Sequence, residues 1–300
     1  MSLENQILRM TKSVKDLTPV TKKLVEDREV YDITVQDNHN YFIYVDEDLS
    51  ILSHNCLEFV VREIIGPISV ISKTTSLIPE LQIIETNLEP KVSKLWVHSI
   101  SSMLSNVARN NLIIQHVFQD LKTHPCIIIP TDRVEHVQLL KKLINEEALK
   151  RDLVTPGSEF AYTFYGGMLP TQKKEALAKV ESGECRVLVS MRSMIKQGID
   201  LRTPTILYSI IPETANKEAG SPMFLQLSNR PCTPHKDKKQ PIVKMFIDNT
   251  GLATACFRSL YHNEIRPNLV PGKDNNFTIR YKISDETKQI ATKILSKKKF

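Results

Sequence analysis

The chain has 300 residues, and its 40 lysines and arginines against 34 aspartates and glutamates give a formal net charge of +6 at neutral pH. That length allows two domains with their own cores, while no apolar run approaches the ~20 residues that a membrane-crossing helix needs. The first residues lack the pattern of a signal peptide. The five scattered cysteines include no Cys-x-x-Cys pair and no spacing typical of metal ligands, and their odd number indicates a reducing cytoplasm.

The charge is unevenly divided along the chain. Residues 1–55 contain six basic and ten acidic side chains, a net charge of −4, and the remainder carries +10. A basic segment of this kind is suited to a polyanion such as nucleic acid.

The first predicted elements are short strands. Val30–Val35 alternates polar and apolar residues like a strand, Gln36–Asn38 supplies a turn, and His39–Ile43 forms a second strand. Ile51 and Leu52 then lead into Ser53–Cys56.

That last segment has the chemistry of a self-cleaving junction. The side-chain amide of Asn55 can attack its own backbone carbonyl and cut the bond to the next residue. The thiol of Cys56 can accept an acyl group as a thioester, and His54 can donate a proton to the scissile amide. The pattern therefore predicts peptide-bond cleavage between residues 55 and 56.

Together these segments resemble the C-terminal splicing blocks of inteins, V-Y-D-(I/L)-x-V followed by H-N-x-F and a terminal His-Asn-Cys. The resemblance implies a β-rich, Hint-like fragment over residues 1–55 that needs no cofactor. It also implies a catalytic set. That set is Asp32, His39, His54, Asn55 and Cys56.

The rest of the chain predicts an α/β fold. Val92–Leu121 is mainly helical, with Trp96 expected in the core. Short apolar strands and amphipathic helices then alternate, which favours a mostly parallel sheet covered on both faces. The predicted strands are Cys126–Ile129, Thr163–Tyr165, Val187–Ser190, Ile206–Ile211 and Ile242–Asp248, and the helices are Val134–Ala148, Thr171–Glu181 and a polar helix from Asp285.

Four segments of this region match motifs of one enzyme family. Ile127–Thr131 matches motif IV, Tyr165–Gly167 the Y-H-G-G segment, Gln197–Asp200 motif V, and Gln226–Arg230 the start of motif VI, Q-x-x-G-R. Residues 125–248 thus resemble the second RecA-like domain of superfamily 2 helicases.

The helicase resemblance implies half of an ATP site. Gly198 would let backbone approach the nucleotide closely, Asp200 would accept a bond from a ribose hydroxyl, and Arg230 would stabilise charge on the γ-phosphate. Gln226 would complete this half-site. ATP and Mg²⁺ are then the cofactors of the assembled helicase, and nucleic acid is its partner, with DNA favoured and the choice between DNA and RNA left open.

Three positions depart from the family pattern. Arg192 stands where motif V usually has threonine, Asn229 replaces the motif VI glycine, and Thr233 stands where a second arginine is expected.

The sequence has neither a G-x-x-x-x-G-K-[ST] phosphate loop nor a D-E-x-[DH] strand, and it has no front half of an intein. The chain therefore resembles the second product of a split gene, whose partner carries the N-terminal halves of both the intein and the helicase. The predicted ranges are 1–55 for the intein fragment, 56–90 for the end of helicase domain 1 with a linker, 91–250 for the RecA-like domain, and 251–300 for a C-terminal extension.

The expected activity is trans protein splicing that ligates a helicase, in the cytoplasm of a bacterial host carrying phage genes, with no membrane partner. Two alternatives remain open. One is a nucleic-acid-binding RecA-like module with an inert intein relic, and the other is a trimmed cis-splicing precursor.

Overall fold

The structure is a computed structural model that describes two units of the chain separately. In residues 1–72 it describes the backbone of 21–25, 28–32, 40–46 and 49–54; in residues 73–300 it describes 77–195, 201–217, 220–236, 238–269 and 281–297. No helix in these described ranges is long and apolar enough to span a bilayer. The four domain ranges stay a prediction.

The first unit contains two antiparallel hairpins. Strand β1 (Thr21–Val25) pairs with β2 (Arg28–Asp32), and β3 (Asn40–Asp46) pairs with β4 (Leu49–His54). The register of the second hairpin sets Asn40 opposite His54. Of the predicted catalytic residues, Asp32 ends β2 and His54 ends β4, whereas His39, Asn55 and Cys56 lie outside the described residues. The Hint-like fold stays a prediction.

The second unit alternates strands and helices. The strands are β5 (Glu80–Glu85), β6 (Ile127–Thr131), β7 (Ala161–Phe164), β8 (Val187–Met191), β9 (Ile206–Ser209), β10 (Ile242–Ile247) and β11 (Lys282–Ile283). The helices are α1 (Trp96–Leu104), α2 (Val107–Asp120), α3 (Val134–Lys150), α4 (Pro170–Ser182), α5 (Arg192–Ile195), α6 (Pro222–Ser228), α7 (Gly251–Leu260) and α8 (Asp285–Ser296).

The seven strands that the structure describes in this unit form one parallel sheet in the order β11-β5-β10-β9-β6-β8-β7. Ile127, Ile128 and Ile129 of the central strand β6 are each 0% exposed. Because side chains alternate across a strand, three consecutive buried isoleucines require cover on both faces of the sheet. The predicted mostly parallel α/β fold is confirmed.

Two hydrophobic cores lie on the two faces. Helices α1, α2 and α3 pack with Ile127, Ile129 and Val189 on one face. Helices α4, α6, α7 and α8 pack with Ile128 and Leu188 on the other. The sheet therefore lies between two helical layers, and the loops lie at the amino and carboxyl ends of its strands.

The structure corrects three details of the sequence-based description. The helical stretch 92–121 is two helices, because Asn106 caps α2 by accepting a bond from the Arg109 amide at 2.9 Å. The expectation that Trp96 is a core residue is wrong, since its side chain is 44% exposed. Strand β5 was not predicted at all.

Candidate nucleic-acid and nucleotide site

The candidate site lies where the carboxyl ends of the strands meet. After β6 the chain goes to β7 and β8 on one side of that strand, and it then crosses to β9 on the other side. Ligands of parallel α/β sheets bind outside the carboxyl ends of the strands, at the point where successive connections diverge in this way. The loops that follow β6, β8 and β9 therefore lie where a ligand of this sheet would bind.

One arginine joins these three loops. Arg192, which follows β8, donates to both carboxylate oxygens of Asp132, after β6, at 2.5 Å each. Its third nitrogen, Nη1, lies 3.1 Å from the carboxylate of Glu213, after β9. The planar guanidinium presents several donors in a fixed geometry, so it can hold two carboxylates at once.

The environment of Glu213 is unusual for an acidic residue. Its side chain is only 5% exposed. Burial raises the pKa of the Glu213 carboxyl, and the Arg192 guanidinium opposes that rise. A proton on Glu213 would leave the Asp132–Arg192 pair electrically neutral, whereas an ionised Glu213 gives the cluster one net negative charge.

The loop after β7 offers backbone close to a cation. Gly166 and Gly167 are exposed, and a Cβ added at Gly166 would meet no atom within 4 Å. Lys173, on the first turns of α4, donates to the Gly166 carbonyl at 2.9 Å. The hydroxyl of Tyr165 accepts a bond from Gln138 at 3.0 Å. Open glycine backbone beside a lysine and a helix N-terminus suits an anionic group such as a phosphate.

The two described members of the predicted ATP half-site lie on α6 and the turn after it. Gln226 and Arg230 are four residues apart and both are half-buried. Residues four apart share one helix face, and the face containing Phe224 and Leu227 packs against the sheet. The other two members, Gly198 and Asp200, lie outside the described residues.

A buried ion pair connects α2 to the carboxyl ends of three strands. Arg109 of α2 donates through Nε to Asp248, after β10, at 2.9 Å, and both side chains are 0% exposed. Asp248 also accepts from Thr86 at 2.8 Å, and Arg109 donates to the Ile210 carbonyl at 2.6 Å. The pair thereby fixes α2 to the ends of β5, β9 and β10.

A neutral histidine lies beside that pair. His136 of α3 contacts Thr131 Oγ1 through Nδ1 at 2.8 Å and Asn110 Oδ1 through Nε2 at 3.1 Å. Burial, with a smaller effect of the Arg109 charge, lowers the pKa of His136 to about 3. Because Asn110 donates its amide to the Leu104 carbonyl, its oxygen accepts from His136, which fixes the Nε2–H tautomer.

These residues fit only part of an ATP–Mg²⁺ site. Gln226 and Arg230 supply an amide and a guanidinium, which suit phosphate oxygens. Throughout the described ranges there is no group of three or more His, Cys, Asp or Glu side chains arranged to hold a metal ion.

Sequence reasoning missed most of the polar network. Arg192 was recognised only as a departure from the motif V pattern, and Glu213 was not singled out. The available signal for Glu213 was an acidic residue two positions beyond the predicted strand Ile206–Ile211, where the carboxyl ends of the strands meet.

No protein-family model matches the chain, and no curated protein matches its sequence. Similar folds occur among solved structures. The helicase Lhr of Mycobacterium smegmatis, bound to ssDNA and AMP-PNP, is 16% identical over 66% of this chain and 24% of its own, with a TM-score of 0.45. S. cerevisiae Dbp5, bound to RNA and ADP BeF3, is 12% identical over 73% of this chain and 46% of its own, with a TM-score of 0.43.

A third match is the C-terminal domain of the Sulfolobus solfataricus SWI2/SNF2 ATPase, which is 13% identical over 57% of this chain and 64% of its own, with a TM-score of 0.35. The chain thus spans less than half of the Lhr and Dbp5 chains.

Proposed function

We propose that the second unit is a nucleic-acid-binding, RecA-like module of the superfamily 2 helicase type, which completes an ATPase together with another domain. One observation carries the proposal. Thr131, in the segment that matches motif IV, is the last residue of β6. Tyr165 of the Y-H-G-G segment and Arg192, at the position of the motif V threonine, directly follow β7 and β8, so residues more than 60 positions apart in sequence lie at one edge of the parallel sheet.

The nucleic-acid contact is assigned to the loop after β7. Gly166 and Gly167 leave the backbone accessible, and Lys173 brings a positive charge to the same loop. A phosphate backbone is the ligand that this chemistry recognises without reading sequence. The Arg192 cluster would hold the neighbouring loops in position while that backbone binds.

The nucleotide contact is assigned to Gln226 and Arg230, with Gly198 and Asp200 added by the motif resemblance alone. ATP, when bound by the assembled enzyme, supplies the phosphoryl group whose transfer releases free energy. Arg230 would then neutralise charge on the terminal phosphate, and Gln226 would orient it. Since the sequence has no phosphate loop, a second domain must hold the nucleotide.

The test compares two variants that each add one negative charge. Gly166→Glu places a carboxylate in the open space of the loop, and Thr292→Glu places one on an exposed position of α8. With a fluorescent single-stranded oligonucleotide, Gly166→Glu should weaken binding about fivefold at ~0.1 M salt, the effect of losing one phosphate contact. Thr292→Glu should bind like the wild type.

Equal affinities for the two variants would contradict the proposal. Neither the wild-type chain nor Arg230→Ala should hydrolyse ATP by itself. Turnover by the isolated wild-type chain would show that the nucleotide site is complete, contrary to the half-site assigned here.

A second candidate function is trans splicing by the first unit. The observation that favours it is the β3–β4 register, which pairs Asn40 with His54. These two residues are the immediate sequence neighbours of His39 and Asn55, so the hairpin joins the two motifs that resemble intein splicing blocks. Asp32, His39 and His54 would assist the reaction. Cys56 would accept the upstream segment as a branched thioester, Asn55 would then cyclise and break its bond to Cys56 so that residues 1–55 leave, and an S-to-N acyl shift would form the peptide bond before Cys56.

Intact-mass analysis tests this second function. The chain is incubated with a purified N-terminal split-intein fragment fused to a short upstream peptide. Ligation should transfer that peptide onto Cys56 with loss of residues 1–55, Asn55→Ala should retain the branched thioester, and Cys56→Ala should permit cleavage only. A ligated product from Asn55→Ala would refute the assignment.

A further inference from the structure

A basic pocket lies at the opposite edge of the sheet from the candidate site. It has a volume of about 410 Å³ and is lined by residues that precede four strands: 121–125 before β6, Arg186 before β8, residues 202, 203 and 205 before β9, and residues 235, 236, 238 and 239 before β10. In a parallel sheet these amino ends share one edge. At ~3.3 Å per residue, a five-residue strand separates this pocket from the carboxyl edge by about 17 Å.

Its lining is strongly cationic. Six lysine or arginine side chains and two histidines contribute to it, and no aspartate or glutamate does so among the residues that the structure describes there. Asp237 lies between two of the lysines in sequence but outside the described residues. The six are Lys122, Arg186, Arg202, Lys236, Lys238 and Lys239.

Part of this charge serves the fold. Arg186 donates to the carbonyls of Pro125 at 2.7 Å and Leu121 at 3.0 Å, and so holds the chain between α2 and β6. Lys238 donates to the Arg202 carbonyl at 2.8 Å, and Lys239 donates to the Thr123 carbonyl. These acceptors are backbone carbonyls, so the bonds hold the cationic side chains in place at the pocket.

Two lysines at the rim are available to a ligand. Lys122 and Lys236 are exposed, and their amino groups make no hydrogen bond or ion pair with any residue that the structure describes. They belong to the entrances of β6 and β10, which are separated by β9. At ~4.8 Å between neighbouring strands, these entrances are about 10 Å apart.

We propose that this amino-edge pocket is a second binding site for the phosphate backbone of a nucleic-acid strand. The inference rests on the proposed nucleic-acid binding and extends it to a surface that none of the matched motifs includes. A strand of duplex nucleic acid presents a phosphate about every 3.4 Å along its axis. A backbone that follows the pocket can therefore engage both rim lysines through neighbouring phosphates.

The experiment uses the full chain and two charge-matched double variants. Lys122→Ala/Lys236→Ala removes the two rim cations, and Lys142→Ala/Lys150→Ala removes two exposed lysines of α3 that each pair with a glutamate. Binding of a fluorescent single-stranded oligonucleotide is measured as a function of salt. Loss of two phosphate contacts should weaken binding about 25-fold at ~0.1 M salt and reduce the log–log salt slope by about 1.4.

The α3 control should keep the wild-type affinity and slope, and all variants should keep the wild-type unfolding midpoint. Equal affinity and slope for the two double variants would overturn the proposal. Competition by tripolyphosphate together with no dependence on oligonucleotide length would also overturn it, because that result defines a small-anion pocket.

Crosslinking with a photoreactive oligonucleotide separates the two proposals. Crosslinks to 122–125 and 235–239 support the amino-edge site, and crosslinks to 166–174 support the carboxyl-edge site. If only the crosslinks to 166–174 are found, this inference is refuted and the proposed function stands. If only the crosslinks to 122–125 and 235–239 are found, the proposed carboxyl-edge contact is refuted and this inference stands.

Discussion

At the scale of single residues, Arg192 joins two acidic side chains from neighbouring loops into one cluster. It bonds Asp132 through two nitrogens and Glu213 through the third. A threonine could reach neither carboxylate in this arrangement, so the two acidic residues and the arginine form one unit. Such a unit is expected to respond to substitution as a whole.

Removing the arginine should therefore cost more than removing one of its partners. Arg192→Thr leaves Asp132 and Glu213 close together without their cation, and we expect a loss of about 2–4 kcal/mol in the free energy of unfolding, near the range for breaking a largely buried ion pair. Urea denaturation measures it. Glu213→Gln should cause a smaller loss in the free energy of unfolding. The double variant should lose less than the sum of the two single losses, and strict additivity would contradict the coupling.

His136 should make stability depend on pH. Its pKa is depressed from 6.5 to about 3 in the folded protein, so folding favours the neutral ring. The stability from this residue is fully present above pH ~6.5, the value in the unfolded chain, and is lost as pH falls toward 3. At pH ~4.5 the loss should be roughly 2–3 kcal/mol.

The matched comparison is His136→Gln, which keeps a donor and an acceptor but cannot be protonated. Urea denaturation at several pH values should show a smaller decline of stability between pH 6.5 and 4.5 in the variant than in the wild type. Parallel pH profiles would show that His136 does not carry this dependence.

At the scale of elements, the position of α6 depends on a buried glutamate. A π-helix, Tyr261–Ile265, continues α7 and contains Glu264, which is 3% exposed. Its carboxylate accepts from the Ser221 amide at 3.0 Å, directly before α6, and from the Tyr281 hydroxyl at 3.0 Å. The helix that contains Gln226 therefore begins on a contact made from a distant part of the chain.

Gly220 should be intolerant of any side chain for this reason. A Cβ at Gly220 would lie 2.2 Å from Glu264 Oε2, and the residue has a φ of +63°. Gly183 is a matched control, because its φ is +82° but nothing lies within 4 Å of its added Cβ. We expect Gly183→Ala to cost about 1–2 kcal/mol for the backbone alone and Gly220→Ala about 1–3 kcal/mol more.

Thermal or urea unfolding of the two variants gives the comparison directly. If both alanines cost the same, Glu264 moves away without penalty and does not fix the start of α6.

The elements that were predicted from sequence share a physical property. Runs such as Ile127–Ile129 are apolar at every position, because strands of a parallel sheet are covered on both faces. Strand β5 was missed because only Leu81 and Ile83 alternate within it, between two glutamates. Trp96 was assigned to the core by its hydrophobicity, whereas α1 leaves it at the surface.

The candidate site was less predictable than the fold, because its polar contacts leave no pattern of apolar residues in the sequence. Motif letters identified Gln226 and Arg230, but contacts between Arg192 and Glu213, or between Arg109 and Asp248, join residues that are far apart in sequence. Only the strand order brings such residues together, and hydrophobic patterning does not determine strand order.

At the scale of the whole molecule, the described residues of the second unit stabilise one another. Among the residues that the structure describes, the two hydrophobic cores extend from Leu81 to Ile294. Contacts outside the cores also lie within this unit. Leu77 donates its amide to the Cys232 carbonyl at 2.9 Å, and Lys293 and Lys297 of the C-terminal segment each lie 2.7 Å from Glu85 of β5. These two lysines lower the pKa of the Glu85 carboxyl through hydrogen bonds.

We therefore expect residues 73–300 to fold as a separate fragment. Such a length is well above the size at which a single core becomes marginal, and both faces of the sheet are covered by helices from this range. The fragment should show one cooperative urea transition whose free energy lies within about 0.5 kcal/mol of the same transition in the full chain, as for sites that do not interact. It should also keep the oligonucleotide affinity of its basic pocket. A fragment without near-ultraviolet circular dichroism or a cooperative transition would show that residues 1–72 are needed for this fold, and the two units could then not be treated as independent.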